Sequence, residues 1–400
     1  MKIIQINLGN FGSTGGIAKG INSVARSMGM ETCMSYPWDP NNRELEKNDI
    51  LIGNKFGRKA SRKLARLTSC NGCFSVFSTI AFLIRMNRYN PDIIHLHNLH
   101  NSYINLPILF RYIKKHNVNV VWTLHDCWAF TGQCPHFTAV KCGRWKSGCH
   151  DCSQYKSYPE SLNDNSKRMW WLKRKWFTRV ENMTIVTPSA WLAGLVKESF
   201  LQEYPVRTIN NGIDLNAFKP TVGDFRQKNG IPDDKYIVLG VAFDWGYRKG
   251  LDVFVELEKR LNDKYKIVLV GTDENIDMQL PANIISIHRT QNQKELAEIY
   301  TSADVFVNPT REENYPTVNM EAIACGTPVL TFKTGGSPEI IDEKCGSVVA
   351  CDDIDSLQSE ICRICETRPY SREYCLKKSQ SFDQNKKFKE YIELYETLNV

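Results

Sequence analysis

Two glutamates eight positions apart, Glu313 and Glu321, are the residues of this 400-residue chain whose spacing most directly suggests chemistry. They lie in Asn308-Pro309-Thr310-Arg311-Glu312-Glu313-Asn314-Tyr315-Pro316, which continues through Thr317–Cys325 into Gly326-Thr327-Pro328-Val329. In physical terms a strand ends at Pro309 and a loop carries Glu313. Pro316 suits a first helical turn, Glu321 lies inside that helix and Gly326 ends it. Backbone N–H groups around positions 316–318 would then face a ligand at the carboxyl ends of the strands, an arrangement that suits phosphate. Glu321 is placed to accept ribose hydroxyls and Glu313 to meet a sugar. Taken alone, the pair is equally a set of solvated charges complementing a helix dipole.

Other segments add to the pair. Arg248-Lys249-Gly250 supplies cations just after a strand, where an ordinary surface basic pair is the alternative. Thr334-Gly335-Gly336-Ser337-Pro338 is a glycine turn that lets backbone approach a ligand. Asn10-Phe11-Gly12-Ser13-Thr14-Gly15-Gly16-Ile17 follows the first strand and is too loose for a dinucleotide fingerprint. Trp122-Thr123-Leu124-His125-Asp126 closes a buried strand with polar residues, although a lone histidine there is often a packed core residue. His95 and His97 share one strand face, which admits a metal pair or, as the better reading, a cleft wall without metal. Cys134, Cys142, Cys149 and Cys152, spaced C-x7-C-x6-C-x2-C, are consistent with a closed, structural four-thiolate zinc site or with free thiols. Few core-forming residues are evident in that insert, so a staple would help it.

The elements needed to position these residues alternate. Strand candidates are Lys2–Gly9, Glu31–Tyr36, Asp92–Asn98, Asn119–Asp126 and Thr184–Ser189, then Tyr236–Ala242, Lys266–Gly271, Ile284–His288, Asp304–Pro309 and Pro328–Phe332. Apolar runs such as Ile237–Val241 read as strands buried on both faces of a parallel sheet. The pattern restarts once, near Asn211-Gly212. The expected α/β architecture is therefore two Rossmann-like, doubly wound domains facing across a cleft. Residues 1–207 form the first domain, with a cysteine-bearing insert at about 127–160, and 208–382 the second; 383–400 form a helix that folds back onto the first. No apolar run is long enough to span a membrane and no signal-peptide pattern opens the chain, so a cytoplasmic, largely reduced protein is expected.

The quoted strings carry a resemblance. Asn308 through Val329 closely resembles the glutamate-x7-glutamate motif of the retaining family 4 glycosyltransferases of the GT-B fold, and the likeness extends over nearly the whole chain. It implies that Glu321 binds the nucleotide ribose and Glu313 the donor sugar, with Asn314, Tyr315 and Pro316 in the donor loop. Gly335 and Gly336 look like the family's second glycine loop, and Gly15 and Gly16 like the flexible first one, near donor phosphate and acceptor. By the same likeness Lys249 neutralises the diphosphate leaving group and His125 contacts the donor sugar. The family's usual arginine before that lysine is replaced by Ala242-Phe243-Asp244-Trp245, and Arg248 is the candidate substitute. Similar cysteine-bearing inserts occur in a subgroup that builds bacterial surface polysaccharides.

The implied activity is retaining hexosyl transfer from a nucleotide diphosphate sugar to a hydroxyl of a lipid-linked glycan, with no cofactor or metal required for catalysis. Rivals are a GT-B sugar-nucleotide epimerase, a phosphorylase, and a non-catalytic nucleic-acid- or glycan-binding protein. Charge bears on partners. Residues 1–207 hold 28 Lys/Arg against 13 Asp/Glu, whereas 208–400 hold 23 against 31. Lys55, Arg58, Lys59, Arg62, Lys63 and Arg66 with Phe56, Leu64 and Leu67 form one basic, apolar patch. Lys167–Phe177, with Trp170, Trp171 and Trp176, suggests another. Together they predict peripheral binding to the anionic inner membrane surface. No nucleic-acid recognition motif is found, so nucleic acid is not an expected partner.

Overall fold

The computed structural model describes residues 1–398. The chain divides into two compact units, Met1–Asn210 with 387–400, and Asn211–Lys386.

The first unit is built on a seven-stranded parallel sheet: β1 (Lys2–Ile6), β2 (Glu31–Tyr36), β3 (Ile50–Leu51), β4 (Ile93–Leu96), β5 (Asn119–Thr123), β6 (Met183–Thr187) and β7 (Val206–Thr208). Its order is β3-β2-β1-β4-β5-β6-β7. The second unit has six parallel strands, β8 (Tyr236–Val241), β9 (Tyr265–Val270), β10 (Ile285–Ile287), β11 (Val305–Asn308), β12 (Val329–Phe332) and β13 (Gly346–Val349), in the order β10-β9-β8-β11-β12-β13. Central strands are apolar on both faces, as helices on each side require: Ile3, Ile4 and Ile6 of β1 and Ile237, Val238 and Leu239 of β8 have no exposed surface. The strand order, not the strand direction, reverses between β1 and β4 and between β8 and β11. At such points the crevice beyond the carboxyl ends is open to a ligand.

The short strands β3, β7 and β13 are absent from the sequence-based expectation. Each lies at or beside a sheet edge, where two to four residues suffice for pairing and leave little periodicity. Most other strands end earlier than expected; β5, for instance, stops at Thr123, so Leu124, His125 and Asp126 lie beyond its end.

The helix Gln384–Thr397 closes the core of the first unit. Phe388, Tyr391, Ile392, Leu394 and Tyr395 pack with Ile3, Ile93, Val121 and Val186. At its start, within the second unit, Ile213 N–H donates to Phe382 O (2.8 Å) and Gln384 N–H to Ile213 O (3.0 Å). Tyr395 is fully buried and its hydroxyl lies 2.6 Å from His95 Nδ1. Replacing Tyr395 with Ala should cost the first unit about 3 kcal/mol or more through cavity formation, and Tyr395→Phe about 1 kcal/mol through the hydrogen bond. Urea unfolding of the two variants against the parent protein measures both.

Candidate functional site

In the second unit three loops meet at Glu313. Lys249, in the turn after β8, forms an ion pair with the Glu313 carboxylate, and Asn314 N–H donates to the other oxygen of that carboxylate at 3.1 Å. The Lys249 turn is fastened to the segment after β11 by its backbone: Arg311 N–H donates to Arg248 O (2.9 Å). The glycine turn after β12 closes the third side. Gly336 N–H donates to Asn314 O (2.9 Å), and the Thr334 hydroxyl to Thr310 O (2.8 Å). Gly335 has φ +54°, and a Cβ there would collide with the Glu313 carbonyl oxygen, so only glycine lets these two backbones touch.

Beneath the loops runs a buried polar chain. Asn308 Nδ2 donates to Asn319 Oδ1 (2.8 Å), Asn319 Nδ2 to Ser337 Oγ (3.0 Å), and Ser337 shares a 2.9 Å bond with Thr331. It ties β11, β12, the glycine turn and the helix Thr317–Ala324 together through satisfied groups, which is the condition for a buried network to rigidify a site. Pro316 stands at the cap position of that helix, one residue before its expected place inside the first turn, and no side chain caps the helix. Tyr315 is buried and its carbonyl accepts from Asn211 Nδ2 at 3.3 Å. Glu321 lies in the second turn, where it accepts from the Tyr300 hydroxyl at 3.1 Å. Burial pushes the Glu321 carboxyl up to about 7.

Arg311 is the residue of this site that sequence reading passed over, although it stands inside the quoted string. It is 6% exposed, grips Asp252 with two bonds (2.8 and 2.7 Å), bonds Asp352 (2.7 Å) and lies over the Tyr247 ring at 3.8 Å. Two carboxylates distant in sequence thus fix one planar cation, which fixes the turn that carries Lys249. Nothing in the local pattern announces Asp252 or Asp352. Arg248 contributes its carbonyl to this assembly, while its half-exposed guanidinium reaches toward Asp244 at 4.0 Å.

The first unit gathers histidines beyond β1, β4 and β5. Gln5 Nε2 donates to Ala18 O (2.9 Å) and Asn22 Oδ1 (2.6 Å), both on the helix Gly12–Ser27. That orientation leaves Gln5 Oε1 to accept from His97 Nε2 at 2.7 Å. His97 Nδ1 must then be the acceptor for His125 Nε2–H, 3.0 Å away. The tautomer of His125 is thereby set two residues upstream of it in the network. His95 belongs to a second chain. Thr123 donates to the Tyr391 hydroxyl (3.3 Å), so it accepts from His95 Nε2 (2.8 Å), and Tyr395 donates to His95 Nδ1. His95 is therefore a core histidine facing the C-terminal helix, and the expected cleft-wall role does not hold for it. Burial lowers His95 to about 3 and His125 to about 4, and His97 well below the ordinary value.

Gly15 and Gly16 are helical: the helix begins at Gly12, because Phe11 takes an extended conformation and caps it without a side-chain bond. The expected flexible loop is thus confined to the residues before Gly12. Gly15 is buried, and a Cβ there would collide with the Asn10 backbone; Gly16 is open.

The insert is better packed than its composition suggests. Phe130 and Phe137 stack around Trp145, with centroids 5.2 and 5.0 Å from it, and Trp170 Nε1 donates to Trp145 O (2.9 Å). Lys173, without exposed surface, donates to Trp128 O (2.7 Å) and Thr131 O (3.0 Å). Trp170, Trp176 and Lys173 are interior, so the surface over 167–177 is narrower than expected and keeps Trp171 beside the exposed Lys167, Arg168, Arg174 and Lys175. Cys134, Cys142, Cys149 and Cys152 line one cavity of about 300 Å³, where Cys134 donates toward Cys152 and lowers its pKa to about 7. Among the described residues no three His, Cys, Asp or Glu side chains converge as metal ligands.

Two open, doubly wound parallel sheets, one with a lysine, two carboxylates and a glycine turn assembled at its switch point, define a two-domain glycosyltransferase of the GT-B fold. Residues 35–217 match the family model described as Glycosyltransferase Family 4, and residues 222–387 the model described as Glycosyl transferases group 1. The chain belongs to this glycosyltransferase family. It is 25% identical over 369 residues, 88% of either chain, to the Escherichia coli K12 protein named as a colanic acid biosynthesis glycosyl transferase, WcaC. Over 135 residues, 32% of this chain and 36% of the other, it is 32% identical to the E. coli K12 lipopolysaccharide glucosyltransferase WaaG. Sucrose-phosphate synthase from Thermosynechococcus elongatus superimposes with a TM-score of 0.74 at 19% identity, over 99% of this chain and 98% of that one. Anabaena HepE, solved with UDP and glucose, gives 0.68 at 16% identity over the whole of both chains. These two likenesses concern the fold.

The ionisations have opposite signs. Glu321 keeps its proton in the native state up to about 7, whereas the unfolded carboxyl releases it near 4.5, so its contribution to stability falls as pH rises between those values. Glu321→Gln should therefore gain thermal stability over the parent at pH 8 but not at pH 4.5. The neutral histidines act the other way: below 6.5 the unfolded chain takes up protons that native His125 and His95 refuse down to about 4 and 3. The first unit should lose stability as pH falls through that window, and urea midpoints read by a probe in each unit at several pH values check both signs.

Proposed function

We propose that the protein transfers a hexose, with retention of anomeric configuration, from a nucleoside diphosphate sugar to a hydroxyl of a lipid-linked glycan in surface polysaccharide synthesis. The observation that carries this reading is the meeting of Lys249, Glu313 and the Gly335–Gly336 backbone on one side of a parallel sheet, beside the uncapped helix that bears Glu321. Such a set matches a diphosphate joined to two polyhydroxylated groups. Lys249 and the first-turn N–H groups of that helix offset the charge that grows on the leaving diphosphate. Glu321 accepts ribose hydroxyls, and Glu313 orients the transferred sugar.

Binding of the diphosphate oxygens by Lys249 would release its ion pair with Glu313 and free that carboxylate for a sugar hydroxyl. The leaving group is then stabilised by fixed protein charges, with no catalytic metal assigned. Gly15, Gly16 and His125 are assigned to the acceptor and the reacting sugar. His125 stays neutral at working pH, which suits a hydrogen bond to a hydroxyl better than competition for the diphosphate. Front-face departure and attack need no protein nucleophile. The names of WcaC and the lipopolysaccharide glucosyltransferase support a surface glycan as product class.

A panel of UDP-, GDP- and ADP-sugars, scored by thermal shift and by nucleotide release, identifies the donor. Lys249→Ala and Glu313→Ala should each lower kcat by roughly a hundred- to a thousandfold, while Glu321→Ala should mainly raise the donor KM. Inverted anomeric configuration in the product defeats the retaining mechanism. Sugar-nucleotide turnover at full rate without acceptor points to an epimerase instead.

A further inference from the structure

The helices Lys55–Thr68 and Val76–Tyr89 present an apolar and cationic face that the transfer chemistry does not use. In the second helix Thr79, Phe82 and Met86 point inward, while Phe77, Ile80, Ala81 and Ile84, spaced i, i+3, i+4 and i+7, are all exposed. An amphipathic helix ordinarily turns such a stripe to the core; here a core-facing stripe and an outward apolar stripe coexist. Phe77 is 88% exposed and Phe56, on the neighbouring helix, 82%. The helices approach each other where Gly57 lies near Ser78 and where Ser75 Oγ donates to Ser61 Oγ at 2.9 Å, and Phe56 and Phe77 are the chain neighbours of Gly57 and Ser78. Leu64 and Leu67 extend the exposed apolar surface along the first helix.

The charge of this region has one sign. Residues 50–91 contain eight Lys/Arg and no Asp or Glu. Arg58 is taken by Asp39 and Arg66 by Glu160, but Lys59, Arg62 and Lys63 take part in no ion pair among the described residues. Large apolar side chains standing out among unpaired cations match a surface with negative headgroups above a hydrocarbon boundary. A second copy of the chain would bring the same cations face to face.

We propose that this two-helix face docks the protein on anionic phospholipid, with Phe56, Phe77, Ile80 and Ile84 entering the interfacial zone and Lys59, Arg62 and Lys63 meeting the headgroups. This inference is independent of the donor reading, since docking needs no substrate. It also widens the distribution expected from sequence: the second helix, which has only two arginines, joins the first in supplying the insertion surface.

Flotation of the full-length protein with phosphatidylcholine vesicles, with and without phosphatidylglycerol, tests it. The parent protein should float with the anionic vesicles only, and lose binding at roughly 0.5 M salt. Lys59→Glu with Lys63→Glu should weaken partitioning by about tenfold or more, and Phe77→Ser with Ile84→Ser by about tenfold. Both double variants should keep the parent melting temperature and donor turnover in solution. Failure of the parent to float on anionic vesicles, equal binding to neutral ones, or undiminished binding by both variants would overturn the proposal. So would sedimentation velocity showing a parent dimer that Phe77→Ser with Ile84→Ser dissociates, because the face would then be a self-association surface.

Discussion

A buried guanidinium sets the geometry on which the donor-side loops depend. Arg311 sits almost out of solvent between Asp252 and Asp352, with Tyr247 beneath it. Removing a cation from water is costly unless its donors are matched, and here the planar fork meets one carboxylate with two bonds and a second with one. The turn after β8 therefore has a fixed place relative to the loop after β11. Lys249 and Glu313 then face each other because their backbones have been fixed first, and Gly335 closes the frame by a contact that no side chain would permit.

The first unit uses another device for the same purpose. A glutamine amide with both N–H groups committed to the helix Gly12–Ser27 leaves its oxygen with one role, and the histidines beyond it inherit a protonation pattern. Burial keeps these rings neutral, so their hydrogen bonds have a defined direction across the working pH range. The helix that contains Gly15 and Gly16 thus also orients His125. A change in that helix would be felt as a change in which nitrogen of His125 bears the proton.

Long-period features of this architecture were legible in the sequence, and features made by distant partners were not. The apolar run Ile237–Val241 states its burial on two faces, and the alternation of strands and helices that restarts once let two parallel sheets be read directly. Glu313, Glu321 and Lys249 could be named because each belongs to a distinctive local string. Arg311 could not be ranked above any other arginine, since its partners are 59 and 41 positions away. Gln5 and Asn22 look like polar residues in a strand and a helix until the fold brings them to His97. The aromatic string was legible only in part: Trp171 is exposed, whereas Trp170, at a position that a helix can turn either way, is held inside by the insert's Trp145. Phe77 and Ile84 went unnoticed in the sequence, as apolar residues that the fold leaves exposed among the described residues.

The return of the C-terminal helix to the first unit has a consequence for how the protein is made. Tyr391 and Tyr395 fill the interior beside Ile3, Ile93, Val121 and Val186, which are among the earliest-synthesised strands. A ribosome delivers domains in order, and the first generally folds while the rest is still being translated. Here the first unit emerges with an unroofed apolar surface and a His95 that keeps Thr123 but lacks Tyr395, and waits through the synthesis of Asn211–Lys386 for this helix. Completion of one half is therefore coupled to the arrival of the other's far end. A nascent chain stalled before the helix is left with exposed core surface, which the helix covers when it arrives.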